Sequence, residues 1–127
     1  MLNRDDLKTW VTPVATPITT GDANVGSAIP QNMRRFIYAI KAINLHTGAN
    51  LLTLGKRENG EAVTTTAIDY IQFSTQYETQ KDPDELKEDS APLYIIEGAG
   101  TGGASYMRAV VGSGTAYLTI WYIDAPA

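Results

Sequence analysis

The sequence predicts an all-β protein, and three observations lead to that prediction. Short runs rich in β-branched and aromatic residues recur along the chain, and turn signals built on glycine, asparagine or proline separate them. The segments that could form helical turns are short and lie near the N-terminus and around residues 83–88. The length of 127 residues suits one domain. Short strands at this spacing are typical of an antiparallel sandwich or barrel.

Residues 1–28 differ from the rest of the chain and are predicted to form an extended N-terminal arm. Asn3 can cap one or two helical turns that reach Trp10. Pro13 and Pro17 then forbid a helix and cannot lie in a central strand, yet the residues around them are apolar and β-branched. An arm lying on another surface explains this combination. An edge strand on the chain's own domain is the alternative.

Residues 29–127 are predicted to form the β-sandwich domain. Its strands are expected over 33–45, 50–57, 62–77 (with a bend or break near Asp69), 92–97, 104–111 and 115–123. Asn59-Gly60 is the strongest hairpin signal and predicts a type I′ turn. The first strand is apolar on both faces, with Phe36, Tyr38, Ile40 and Ala42 expected on one side and Ile37, Ala39, Ile43 and Leu45 on the other. A half-buried strand would alternate, so we expect a second sheet to cover one face and a neighbouring subunit the other.

The charged block at residues 78–90 is predicted to be a solvated excursion between strands. Pro83 can open a short helix that reaches Glu88. The carboxylates of this block are also suitable calcium ligands. However, Lys87 stands where an EF-hand loop needs glycine, so a solvated loop is the preferred interpretation.

The segment Gly98–Gly103 matches the G-x-G-x-x-G pattern of a dinucleotide-binding turn, and Asp124 could serve as the acid that binds a ribose hydroxyl. A dinucleotide-binding enzyme is therefore one alternative. The pattern needs a βαβ unit, however, and the run Ala104–Val111 ends at Gly112 after about two turns. We therefore expect a glycine-rich turn between two strands.

Composition excludes several classes of function. The formal net charge is −4, and an acidic balance argues against a general nucleic-acid binder, which needs a basic face to release counterions. The absence of cysteine excludes disulfides, thiolate metal sites and thiol nucleophiles. No run has the length of a signal-peptide core or of a membrane span. We therefore expect a protein that is made in the cytoplasm and binds no membrane.

No catalytic constellation is recognisable in the sequence. His46 is the only histidine, so it cannot build a multi-histidine metal site, and no G-x-S-x-G pattern supplies it with a nucleophile. We predict a non-enzymatic protein with no catalytic, cofactor-binding or metal-binding residues.

Two aromatic residues of the last strand point to a binding role. Tyr117 and Trp121 share one face, with Thr119 between them, whereas Leu118, Ile120 and Tyr122 share the other. Such rings stack on sugars or pack at subunit interfaces. The interface is the preferred interpretation, and a carbohydrate- or receptor-binding module is the second hypothesis.

Two stretches of the chain carry a family resemblance. One is Ile29-Pro30 leading into RRFIYAIKAINLHTGANLLTLGK, and the other is the ending SYMRAVVGSGTAYLTIWYID. Together they resemble small β-sandwich virion proteins of tailed bacteriophages, of the head-decoration or minor structural type. The resemblance spans about half of the chain. It implies a jelly-roll-like sandwich that is often oligomeric and attaches to a capsid lattice, and it carries over no catalytic residues.

The leading hypothesis is therefore a virion structural protein, assembled in the host cytoplasm, that binds the capsid and other copies of itself without a cofactor. A trimer is the expected oligomer. The predicted partner-contact residues come from the arm, from the first long strand and from the last strand. They are Leu7, Trp10, Val11, Val14, Ile18, Phe36, Tyr38, Tyr117 and Trp121.

Overall fold

A computed structural model of the chain describes residues 8–11, 23–57, 66–83, 91–98 and 104–126. Within these residues it contains nine β-strands and no helix. The strands are β1 (Lys8–Val11), β2 (Ala23–Ile29), β3 (Met33–Asn44), β4 (Asn50–Arg57), β5 (Thr66–Phe73), β6 (Thr79–Asp82), β7 (Tyr94–Glu97), β8 (Ser105–Val111) and β9 (Ala116–Pro126). The predicted all-β class is confirmed for the described part of the chain.

The strands pair in a nested, antiparallel order. β1 pairs with β9, β2 with β8, β3 with both β6 and β7, and β4 with β5, so the first half of the chain folds back on the second. Two further pairs, β3 with β9 and β4 with β8, join these strand pairs into two sheets. Sheet A has the order β1-β9-β3-β6, with β7 on the same edge of β3 as β6. Sheet B has the order β2-β8-β4-β5.

The two sheets share one hydrophobic core in a β-sandwich-like arrangement. Buried and half-buried residues alternate along β8 and β9, which is the pattern of strands with one face in a core. The largest fully buried apolar side chains come from both sheets, and they include Ile37, Leu118 and Ile120 of sheet A and Leu52, Leu54, Phe73 and Met107 of sheet B.

A bulge in β3 changes which residues face the core. The register with β9 shifts after Ile37, so Tyr38 is an extra residue without an opposed partner in β9. Odd-numbered residues face the core before the bulge, and even-numbered residues from Ile40 onward do so after it. The prediction that Phe36 and Tyr38 share a face with Ile40 and Ala42 is therefore wrong, because Phe36 lies on the opposite side of the sheet from Ile40.

Most other strand predictions agree with the structure. β4 has the predicted bounds, and the β4–β5 pairing is irregular next to Asp69, where a bend or break was expected. β6 occupies part of the block 78–90, so this part is a sheet strand and not the predicted solvated excursion. The hairpin turn at Asn59-Gly60 lies outside the described residues. The helix predicted over 83–88 also lies outside them, apart from Pro83.

The segment predicted to be an arm contains two strands of the sandwich. β1 pairs with β9 at the edge of sheet A, and β2 pairs with β8 at the edge of sheet B. Val25 of β2 is fully buried in the core. Residues 8–11 and 23–28 therefore pair with the chain's own sheets, whereas residues 12–22, which include Pro13 and Pro17, lie outside the described residues, so the choice between an arm and an edge strand stays open for them.

A buried ion pair ties three strands together. The Nε and Nη2 atoms of Arg35 in β3 donate to the two carboxylate oxygens of Asp124 in β9 at 2.8 and 2.9 Å. Its Nη1 donates to the carbonyl oxygen of Ser27 in β2 at 2.9 Å, and the guanidinium lies 4.2 Å from the ring centre of Tyr122. Arg35 is 1% exposed. This arrangement connects sheet A to sheet B at one end of β3.

Two buried asparagines join three loops at the other end of β3. The amide nitrogen of Asn44 donates to the carbonyl oxygens of Gly48 and Thr75 at 2.9 Å each, and its oxygen accepts from Asn50 at 3.0 Å. Asn50 in turn exchanges two hydrogen bonds with the backbone of Ser113, at 2.7 and 2.9 Å. The β3–β4, β5–β6 and β8–β9 loops are thereby fixed to one another.

Candidate interaction face

The outer surface of sheet A carries apolar side chains that do not belong to the core. Residues directly opposed across antiparallel strands lie on the same face of a sheet. The rows of opposed residues on this side are Glu97–Arg34–Ala125, Ile95–Phe36–Ile123, Ala39–Trp121, Lys81–Lys41–Thr119 and Thr79–Ile43–Tyr117. We call this surface the A-face.

Apolar residues occupy most of the A-face. Ile95 is 49% exposed, which is a large fraction for an isoleucine on a sheet. The other large apolar residues of the rows are half-buried, namely Phe36, Ile43, Tyr117, Trp121 and Ile123. A contiguous apolar patch with a polar rim is typical of a surface that binds another protein.

The strand β9 shows why these residues face outward. Leu118 and Ile120 are buried in the core, and the residues between them alternate to the other side of the sheet. Tyr117, Thr119 and Trp121 therefore lie together on the A-face. This confirms the two faces that the sequence predicts for the last strand.

Two lysines face each other on the A-face. Lys41 of β3 lies directly opposite Lys81 of β6, and Thr119 lies on the other side of Lys41. The ammonium of Lys81 lies 6.0 Å from the ring centre of Trp121, within reach of a weak cation–π contact. Lys81 is exposed and Lys41 is half-buried. The apolar surface therefore carries a pair of adjacent positive charges.

The third cation of the A-face is paired. The Nε atom of Arg34 lies 2.8 Å from a carboxylate oxygen of Glu97, and the two side chains are 43% and 51% exposed. Such an exposed pair contributes little to stability. The described rows therefore contain three cations and one carboxylate, which gives this face a net charge of +2 on a chain whose net charge is −4.

The structure brings three of the predicted contact residues together. Phe36, Tyr117 and Trp121 all lie on the A-face. Arg34 lies on this face and Arg35 on the other, as the alternation along a strand predicts.

Of the other six predicted contact residues, Tyr38 is the half-buried extra residue of the bulge in β3. Trp10 and Val11 belong to β1, which extends sheet A beside β9. Leu7, Val14 and Ile18 lie outside the described residues. Their role as partner contacts stays a prediction.

Sequence reasoning missed several residues of the A-face, of which Ile95, Ile123 and Lys81 are examples. Ile95 belongs to a four-residue strand, which is too short for its alternation to distinguish an outer from an inner position. Ile123 follows Trp121 on the same face of β9, and the bulge in β3 places Phe36 opposite it. Lys81 lies in the charged block, where β6 was not expected.

A small cleft opens where β5 of sheet B faces β6 and β7 of sheet A. It encloses about 140 Å³, and its lining residues are Ile40, Asp69, Tyr70, Ile71, Gln80, Lys81, Asp82 and Tyr94. The Tyr94 hydroxyl donates to a carboxylate oxygen of Asp69 at 2.5 Å. Burial raises the pKa of Tyr94 above its usual range, and the charges of Asp69 and Asp82 raise it further. The phenol therefore keeps its proton at neutral pH and joins the two sheets across the cleft.

The described residues do not build a dinucleotide-binding unit or a metal site. Gly98 follows β7, and the segment Ser105–Val111, which would have to be the helix of a dinucleotide-binding unit, is strand β8. The carboxylate of Asp124 forms the buried ion pair with Arg35. His46 lies in the β3–β4 turn, where its backbone nitrogen donates to the side-chain oxygen of Asn44 at 3.1 Å. Within the described ranges, no three acidic or histidine residues lie close enough to hold a metal ion.

Comparisons with protein-family models, with curated proteins and with solved structures found no match to this chain. Among the residues that the structure describes, there is no helix long and apolar enough to cross a membrane.

Proposed function

We propose that the chain is a non-enzymatic structural protein of a virion, a capsid decoration or minor head protein that binds the capsid lattice and other copies of itself. The observation that carries the proposal is the A-face. It is a largely apolar sheet surface, crossed by the row of Lys41 and Lys81, on the side of sheet A that faces away from the core.

The topology supports the same proposal. The nested pairing of β1 with β9, β2 with β8, β3 with β6 and β7, and β4 with β5 is the pairing expected of a jelly roll. Jelly rolls occur in viral capsid and lectin domains. The resemblance of the sequence to small β-sandwich proteins of tailed phages favours the capsid over the lectin. The protein would then be located in the virion, after assembly in the host cytoplasm.

Such a protein works by distributed contact. Burial of apolar surface contributes about 25 cal/mol per Å², so each residue of the A-face adds a modest amount. Many copies attached to one lattice make these small contributions cumulative, because each additional contact forms at a high effective concentration. An oligomer, with a trimer as the expected form, increases this effect.

The experiment compares two variants in purified particles. Particles are prepared separately from cells that express the wild-type chain, the Trp121→Lys variant or the Tyr106→Lys variant. Trp121 lies on the A-face, and Tyr106, on the outer side of sheet B, is the matched control. Mass spectrometry then gives the copies of this chain per particle. We expect wild type and the Tyr106 variant in the particles and at least a tenfold loss of the Trp121 variant, although circular dichroism shows all three folded. Absence of the wild-type chain from particles, or equal incorporation of the three, contradicts the proposal.

The same aromatic residues favour one second candidate, a carbohydrate- or receptor-binding module. Tyr117 and Trp121 lie on an accessible sheet face, where their rings can stack on sugar rings. A glycan array probed with the full chain, with and without calcium, distinguishes the two candidates. A specific glycan signal that Trp121→Ala abolishes would favour the module, and its absence would argue against it.

A further inference from the structure

We propose that the partner that covers the A-face is the surface of a different protein, apolar at its centre and carrying carboxylates opposite Lys41 and Lys81. This inference rests on the proposed function and adds to it the chemistry of the partner.

Two lysines lie side by side on the A-face. Lys41 and Lys81 are directly opposed across β3 and β6, where like charges destabilise a sheet. Glu97, the carboxylate that the described rows of this face contain, lies three rows away and is paired with Arg34. A carboxylate placed between the lysines by a partner would relieve this repulsion. The isolated domain thus carries a local electrostatic cost that an acidic partner removes.

The two lysines also lie beside the apolar rows of the A-face. The ammonium of Lys81 lies over the ring of Trp121, and Lys41 lies between the rows of Trp121 and Tyr117. A partner that covers the rings must therefore also meet the two charges. Complementary charges at such a position determine orientation and exclude unsuitable partners. An apolar patch without carboxylates would cover the lysines without satisfying them.

Other occupants fit the A-face less well. A second copy that used the same face would place a net charge of +2 against +2, so a symmetric dimer through the A-face is disfavoured. A nucleic acid needs several cations to replace its counterions, and two lysines among isoleucine and aromatic side chains do not supply them. An acidic, partly apolar protein surface fits both the charge and the composition.

The test uses the full chain and three synthetic amphipathic peptides. All three have leucines on one side, and the residues that flank the leucines are glutamate, glutamine or lysine. Binding is measured by isothermal titration and located by two-dimensional nitrogen–proton NMR. We expect the glutamate peptide to bind at least tenfold tighter than the glutamine peptide at low salt. The advantage should shrink near 1 M salt, where screening is strong. Shifted signals should cluster on the A-face.

Matched variants separate local from general electrostatics. Lys81→Glu should remove the preference for the glutamate peptide and favour the lysine peptide. Arg57→Glu in β4, opposite Tyr106 on the outer side of sheet B, makes the same change in net charge and should leave the preference unchanged. If both variants bind the glutamate peptide tenfold more weakly than wild type does, the affinity depends on the net charge of the chain and not on Lys81. That result would overturn the proposal.

Three other results would also overturn it. They are equal affinity for the glutamate and glutamine peptides, no binding of the glutamate peptide at millimolar concentration, and tighter binding of a single-stranded oligonucleotide than of any peptide. These results leave the particle experiment unaffected. If incorporation into particles depends on Trp121 but the chain does not prefer the glutamate peptide, only the partner chemistry is contradicted. If the chain prefers the glutamate peptide but is not incorporated into particles, only the virion role is contradicted.

Discussion

The buried ion pair gives the sharpest prediction about stability. Asp124→Asn removes the negative charge that faces Arg35, whose guanidinium is 1% exposed. Removing one partner of a buried pair costs about 3–5 kcal/mol. The Ser27 carbonyl and the Tyr122 ring still contact Arg35 in the variant, so we expect the lower end, about 3 kcal/mol. At about 3–4 °C per kcal/mol, the melting temperature should fall by about 10 °C.

Urea unfolding followed by circular dichroism measures this change, with Glu97→Gln as the matched control. That substitution removes one carboxylate from an exposed Arg–Glu pair, so it should cost less than about 1 kcal/mol. The double variant Arg35→Met with Asp124→Leu should recover most of the loss, because it leaves no buried charge without a partner. Equal destabilisation by Asp124→Asn and Glu97→Gln would refute the reasoning.

Three further predictions concern the fold. Gly98→Ala should destabilise the fold by about 1–3 kcal/mol in the same urea assay, because the added Cβ would overlap a backbone carbonyl oxygen of the β2–β3 turn. Gly48→Ala is the control. No atom lies within 4 Å of its added Cβ, so the free energy of unfolding should change by less than about 1 kcal/mol. Asn44→Ala should cost about 2–3 kcal/mol and speed hydrogen exchange in the β5–β6 loop, since it frees several buried hydrogen-bonding groups; unchanged exchange would contradict this. Because the pKa of Tyr94 is raised in the folded state, the stability that its protonated phenol contributes is fully present below pH 10. This contribution is lost as the pH rises from 10 toward the raised pKa. Tyr94→Phe should weaken this fall in urea midpoints measured across alkaline pH, and an identical fall in both proteins would contradict the assignment.

The sequence predicts the strands well where one face is buried in the core. β9 alternates apolar core residues with Tyr117, Thr119 and Trp121, and its faces are as expected. β3 is different because both of its faces are apolar, so the sequence does not reveal the bulge at Tyr38. That bulge reverses the alternation, and it is visible only from the register with β9.

The candidate site is harder to predict because it is assembled across strands. Phe36 and Ile95 are far apart in the sequence and adjacent only through the pairing of β3 with β7. The opposed position of Lys41 and Lys81 likewise depends on β6, a four-residue strand inside a charged segment. Alternation within one strand predicts a face, but only the order of the strands shows which faces join.

The most direct test of the central claim is oxidative footprinting of the chain in particles and free in solution. Hydroxyl radicals modify accessible aromatic rings, and mass spectrometry gives the rate at each residue. We expect Trp121 and Tyr117 to be protected at least fivefold in particles. Tyr77, a loop residue that is 68% exposed, should react equally in both states. Protection of Tyr77 with unchanged rates at Trp121 and Tyr117 would contradict the A-face as the attachment surface.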